Sequence, residues 1–118
     1  MKKRSGMLLF AVLILCCPSA SAMTGADLAD GMKSYLKSEK NYTKADYLLA
    51  GNYLGYVQGV AEASASDYSL PKDITPDKLC RVVANYLEKH PGKMNEPAAS
   101  IVRAALREAF PVFIIKDR

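Results

Sequence analysis

Three glycines at strict four-residue intervals, Gly51, Gly55 and Gly59, lie inside the stretch YLLAGNYLGYVQGVAEASA from Tyr47 to Ala65. Its apolar spacing is otherwise that of a helix of about five turns. Leu49, Tyr53, Tyr56, Val57 and Val60 fall on one broad side, and Ala50, Leu54 and Ala61 widen it beyond what a surface helix needs. The pattern therefore predicts a central helix that serves as the buried axis of the fold and is covered from several directions. The glycines stack three missing side chains into a groove along the helix. Each costs roughly 1 kcal/mol of helix propensity relative to alanine, so the row predicts compensation by close packing against bare backbone. Either a second helix of this chain or a partner, including a second copy, would supply it. Asn52, Gln58 and Glu62 interrupt the segment and argue against a bilayer span.

The first 22 residues read as an export signal. Lys2, Lys3 and Arg4 form a basic start, Met7 to Cys16 an apolar run too short to span a membrane, and Ala20-Ser21-Ala22 a small-x-small cleavage site. Cleavage is expected after Ala22, leaving residues 23–118 as one domain with no membrane insertion. A lipid-anchored reading fails because Leu15 and Cys16 precede the two candidate cysteines, where such a site needs a small residue. Cleavage removes three of the 16 basic residues and none of the 12 acidic ones. The mature chain is then nearly neutral, with no basic stripe to neutralise phosphates, so nucleic acid is excluded as a partner. Cys80 becomes its single thiol, and the core must hold without an internal disulfide.

Capping signals divide the remainder. Thr24 with Asp27 opens a first helix from Gly25 to about Lys40, and Thr43 with Asp46 caps the central one. After Ala65 the segment SDYSLPKDITPDK forms a loop. Thr75 then caps a third helix, with Pro76 at its first position and Leu79, Val83, Tyr86 and His90 on one line up to Pro91-Gly92. A fourth helix starts near Glu96 with Pro97 in its first turn. Ala98, Ile101, Val102, Ala105, Leu106 and Ala109 face inward, while Arg103 and Arg107 form an outward basic ridge. The tail Val112-Phe113-Ile114-Ile115 either folds back over the core or pairs as an extended segment. The fold class is all-α, a compact bundle of four main helices.

Catalytic chemistry is poorly provided for. His90 stands at a helix end, where it serves the last carbonyls, and no second histidine or cysteine stands at metal-ligand spacing. Cys80 and His90, ten residues apart on one helix, are roughly 15 Å apart and cannot act as nucleophile and base. No cofactor, metal or enzymatic activity is expected. Loops on a rigid bundle concentrate binding residues, which makes Lys89, His90, Lys93, Asn95 and Glu96 in one loop, and Ser69, Lys72 and Asp73 in the other, the candidate partner contacts.

The blocks Gly55-Tyr56-Val57-x-Gly59-Val60, Ile74-Thr75-Pro76-x-x-Leu79, Val82-Val83-x-x-Tyr86-Leu87-x-x-His90-Pro91, Pro97-Ala98-Ala99 and Ala104-Ala105-Leu106-x-x-Ala109-Phe110-Pro111 follow in order. In these the chain resembles the Tai family, periplasmic immunity proteins against type VI secretion amidase effectors. The resemblance implies a small helical homodimer that binds a peptidoglycan-cleaving Cys-His amidase of the NlpC/P60 type and obstructs its cleft with a loop. It also implies that Ser69 and Val112 stand where relatives carry a disulfide pair. A general periplasmic stress protein or acid-stress chaperone of similar size is the alternative. The single histidine gives it little pH sensing.

Overall fold

In the computed structural model, which describes residues 21–113, four helices follow one another: α1 (Gly25–Leu36), α2 (Lys44–Ala63), α3 (Pro76–Lys89) and α4 (Ala98–Ala109). Single 3-10 turns at Glu39–Asn41, Ala65–Asp67 and Pro91–Lys93 connect them. The signal-peptide expectation falls on residues that lie, up to Ala20, outside the described ones. Among the described residues β-pairing is confined to one isolated bridge between Thr24 and Pro97.

Local chemistry sets the helix starts. Thr24 and Thr43 each form a complete capping box with the aspartate three residues on, and the Thr75 hydroxyl accepts from the Lys78 amide ahead of Pro76. α4 starts later than expected. Pro97 is its cap, because the Glu96 carbonyl accepts from the Gly25 amide at 2.8 Å and its own amide turns back to Lys93. α1 ends earlier than expected, at Leu36. Lys37 is drawn out of the helix by the same carboxylate that caps α2: Lys37 Nζ donates to Asp46 Oδ2 at 2.8 Å and Ser34 Oγ to Oδ1 at 2.9 Å.

The core lies where α2, α3, α4 and the inner face of α1 meet. Leu28, Tyr53, Val57, Val83, Ile101, Val102 and Leu106 are fully buried. α1 runs antiparallel to α3: its start is bonded to Met94 and Glu96 beyond the end of α3, and Tyr35 near its end donates to Asp77 in the first turn of α3. Tyr68 closes the far end of α2, its hydroxyl donating to the Ala61 carbonyl at 2.7 Å. Among the inward positions expected on α4, Ala109 is exposed, because the chain leaves the helix at Phe110.

One expectation for α2 does not hold, and a second is narrowed. The helix is buried along one face only; Tyr47 and Leu48 are 63% and 65% exposed and Leu49 is partly exposed, because α1, α3 and α4 all pack on the same side of it. Of the two occupants expected for the glycine row, a helix of this chain is not found among the described residues, where a Cβ on Gly51, Gly55 or Gly59 would meet nothing within 4 Å, which leaves a partner. The close contacts fall instead on Gly25 and Gly31 of α1. The apolar tail does not fold back over the core in its described part, where Phe113 is 83% exposed and Val112 is half exposed. Ile114 and Ile115 lie outside the described residues.

The buried Asp46 carboxylate joins two helices and gives the fold a defined acid response. The Lys37 ammonium first, then the Thr43 amide and hydroxyl and the Ser34 hydroxyl, hold it well below the usual carboxylate range. Hydrogen bonds to Thr24, Arg103 and Tyr35 likewise lower Asp27, Asp67 and Asp77 respectively. For groups depressed on folding, the stabilisation is complete above the unfolded carboxylate pKa of about 4 and disappears as pH falls through the lower folded values. Thermal stability should therefore be flat from neutral pH to about 5 and decline below about 4. Asp46→Asn should be less stable at neutral pH and show a shallower acid decline; an equally steep decline would remove Asp46 from this role.

Candidate partner-binding surface

The two candidate loops lie at opposite ends of α3. Its 14 residues separate them by about 21 Å at the helical rise, so they do not form one patch. The loop after α3 is firmly held. Gly25 and Ala26 at the start of α1 donate to the Glu96 and Met94 carbonyls at 2.8 and 2.9 Å, and Ala98 donates to Met23 at 2.9 Å. On this frame the His90 ring lies against Tyr86 with centroids 4.2 Å apart, and Lys93 pairs with Glu96 at 3.4 Å. The Glu96 carboxylate raises the Lys93 pKa. Lys89, Asn95 and Glu96 are exposed and His90 and Lys93 half-buried.

The other loop presents Ser69, Lys72 and Asp73 to solvent. Its course is fixed at both ends, by the Ser69 amide donating to the Phe110 carbonyl at 3.0 Å and the Ile74 amide to Pro71 at 3.2 Å. Ser69 thus lies against the segment that leads to Val112, the neighbourhood that the family resemblance implies for these two positions. Beside it is an open, mainly apolar concavity of about 250 Å³ walled by Leu70, Ile74, Leu79 and Ala61.

The solvent face of α2 carries Lys44, Leu48, Gly51, Asn52, Gly55, Gly59 and Glu62, all exposed. Sequence reasoning identified the glycines but not the bare face around them, because the broad apolar arc pointed to cover from several directions. The Arg103 and Arg107 ridge is partly engaged: both guanidiniums reach Asp67, in the turn after α2, a contact across 36 and 40 residues that no local pattern signals.

Cys80 is fully buried, and burial pushes its thiol up to about 11, where it stays protonated and inert. Among the described residues no three His, Cys, Asp or Glu side chains gather to hold a metal ion, and no helix is long and apolar enough to cross a membrane.

These features define an all-helical domain with polar loops at the two ends of α3 and one bare face on α2. The family model of the Rap1a immunity proteins matches residues 24–112, and the chain belongs to that family. Its members are generally non-enzymatic, and an immunity protein acts by binding a secreted effector. No curated protein matches the chain.

Proposed function

We propose that the chain is a periplasmic immunity protein that binds a type VI secretion amidase effector of the NlpC/P60 type and blocks its cleft. The family match over residues 24–112 carries the reading, and the blocks that resemble the Tai family direct it to an amidase. Residues 1–22 direct export and are removed, and residues 23–118 act in the periplasm, where the substrate wall lies. The loop from Lys89 to Glu96 enters the cleft. Its backbone is already tied to α1, so little conformational entropy is lost when it docks. Lys89, His90, Lys93, Asn95 and Glu96 make the contacts, with Ser69, Lys72 and Asp73 available to a second contact at the other end of α3.

The protein pairs as a homodimer through the solvent face of α2. Lys44 and Glu62 lie at opposite ends of that face, symmetric about position 53, so an antiparallel second copy brings each lysine to the other copy's glutamate. Gly51 and Gly55 then face each other at the axis, where bare backbone permits close approach.

The test directs a panel of such amidases to the periplasm of cells with and without this protein. Lysis is expected only in its absence for the cognate enzyme, and purified protein should inhibit that enzyme's cleavage of peptidoglycan. Equal lysis with every amidase of the panel would refute the assignment.

A further inference from the structure

We propose that the Arg103–Asp67–Arg107 cluster is a docking point for an acidic side chain of a protein partner; the partner's identity as an effector rests on the function proposed above. Arg103 and Arg107 stand four residues apart on one helix face, where like charges repel and destabilise the helix. Asp67 offsets this with one carboxylate for two guanidiniums, so a full positive charge is left over. All three contacts fall on a single oxygen: Arg103 Nε and Nη2 reach Oδ2 at 3.0 and 2.6 Å, and Arg107 Nη2 reaches it at 3.1 Å. Among the described residues Arg103 Nη1 and the remaining N–H groups of Arg107 have no acceptor. They are open to solvent, the two side chains being 44% and 53% exposed.

The setting favours a polypeptide carboxylate over a free anion. A concavity of about 390 Å³ adjoins Arg103 and its partner Asp67, with Ser64 and Ser66 beside Val60, Ala63 and Ala99. Such a wall accepts the methylene stem of a glutamate and its neighbouring backbone, while the guanidiniums take its oxygens as charge-assisted hydrogen bonds. Arginine is also the charged residue most enriched where protein interfaces are energetically centred. The turn that carries Asp67 is anchored, since Tyr68 and Ser64 bind the last carbonyls of α2, so the carboxylate that orients both guanidiniums is held in place before a partner arrives.

Two measurements on the mature protein decide the matter. In the first, a capped tetrapeptide carrying one glutamate is titrated into isotope-labelled protein while the arginine Nε–H resonances are followed. Saturable shifts at Arg103 and Arg107 that vanish in R107E are expected; R107E leaves the Arg103–Asp67 pair to hold the turn. No shift at tens of millimolar peptide, or an equal response to inorganic phosphate, overturns the proposal. In the second, association with the cognate amidase is timed against ionic strength. R107E should slow association and weaken affinity by at least tenfold, R107K by less, and added salt should reduce the wild-type rate more than the variant's. An R107E protein with the wild-type rate and salt slope overturns the proposal while leaving the immunity assignment intact. Should no amidase bind wild type, the immunity assignment falls and the peptide titration decides this proposal alone.

Discussion

Gly31→Leu should destabilise the protein by about 3 kcal/mol, whereas Gly55→Leu should leave the isolated subunit as stable as the parent or more so. At Gly31 an added Cβ would stand 2.9 Å from the Tyr53 Cβ and 3.2 Å from the Leu49 carbonyl oxygen, both on α2. Backbone cannot step aside as a flexible side chain does, so α1 and α2 would have to separate along their shared face. At Gly55 an added Cβ meets nothing within 4 Å, and a leucine gains up to about 1 kcal/mol of helix propensity. Urea unfolding at low protein concentration reads the difference as a shift in midpoint at constant slope. A Gly31→Leu variant as stable as the parent would contradict the α1–α2 contact. Gly55→Leu carries a second reading: by filling the bare face it should abolish the homodimer at concentrations where the parent is dimeric. Sedimentation at matched concentrations checks this, and an unchanged dimer would move the proposed interface off α2.

The same pair of residues shows where the sequence is informative and where it is not. The starts of α1, α2 and α3 are legible because capping is local: Thr24 and Thr43 have an aspartate three residues on, and Thr75 is followed by Pro76 at the first helical position. Ends were less so. α1 stops at Leu36 because Ser34 and Lys37 turn to Asp46, a contact between helices that no window along α1 contains. Glycine spacing puts the three residues on one face and leaves open whether a helix of this chain or a partner covers it; among the described residues no helix of the chain does. Spacing fixes which residues share a face and says nothing of what lies opposite; the glycines that are tightly packed, Gly25 and Gly31, carry no periodic signature. The candidate loops were identified by composition, but their separation by the length of α3 follows only from the fold. Asp67 was passed over altogether, since its two arginines approach from another helix.

Tyr53→Ala should cost about 4 kcal/mol, the largest loss for any single side chain of α2. The residue is 1% exposed, and its ring lies 5.4 Å from that of Tyr35 on α1. Its hydroxyl reaches across to α3 and donates to the Cys80 carbonyl at 2.7 Å. Removing the ring thus leaves a cavity where three helices meet, and no side chain of the surrounding helices can collapse into it without breaking its own packing. Tyr53→Phe separates volume from polarity. The Cys80 carbonyl already accepts within the helical ladder of α3, so losing its second bond should cost only about 1 kcal/mol. Burial holds the Tyr53 phenol protonated far above neutral pH, so this bond persists over the whole range in which the protein folds. Cys80 supplies a direct readout, being fully buried with its thiol raised to about 11, so alkylation at neutral pH must await opening of the core. A loss of about 4 kcal/mol should raise the alkylation rate of Tyr53→Ala about a thousandfold over the parent, with Tyr53→Phe close to the parent. If Tyr53→Ala left the rate unchanged, the junction of α1, α2 and α3 would not be the contact that keeps this core closed.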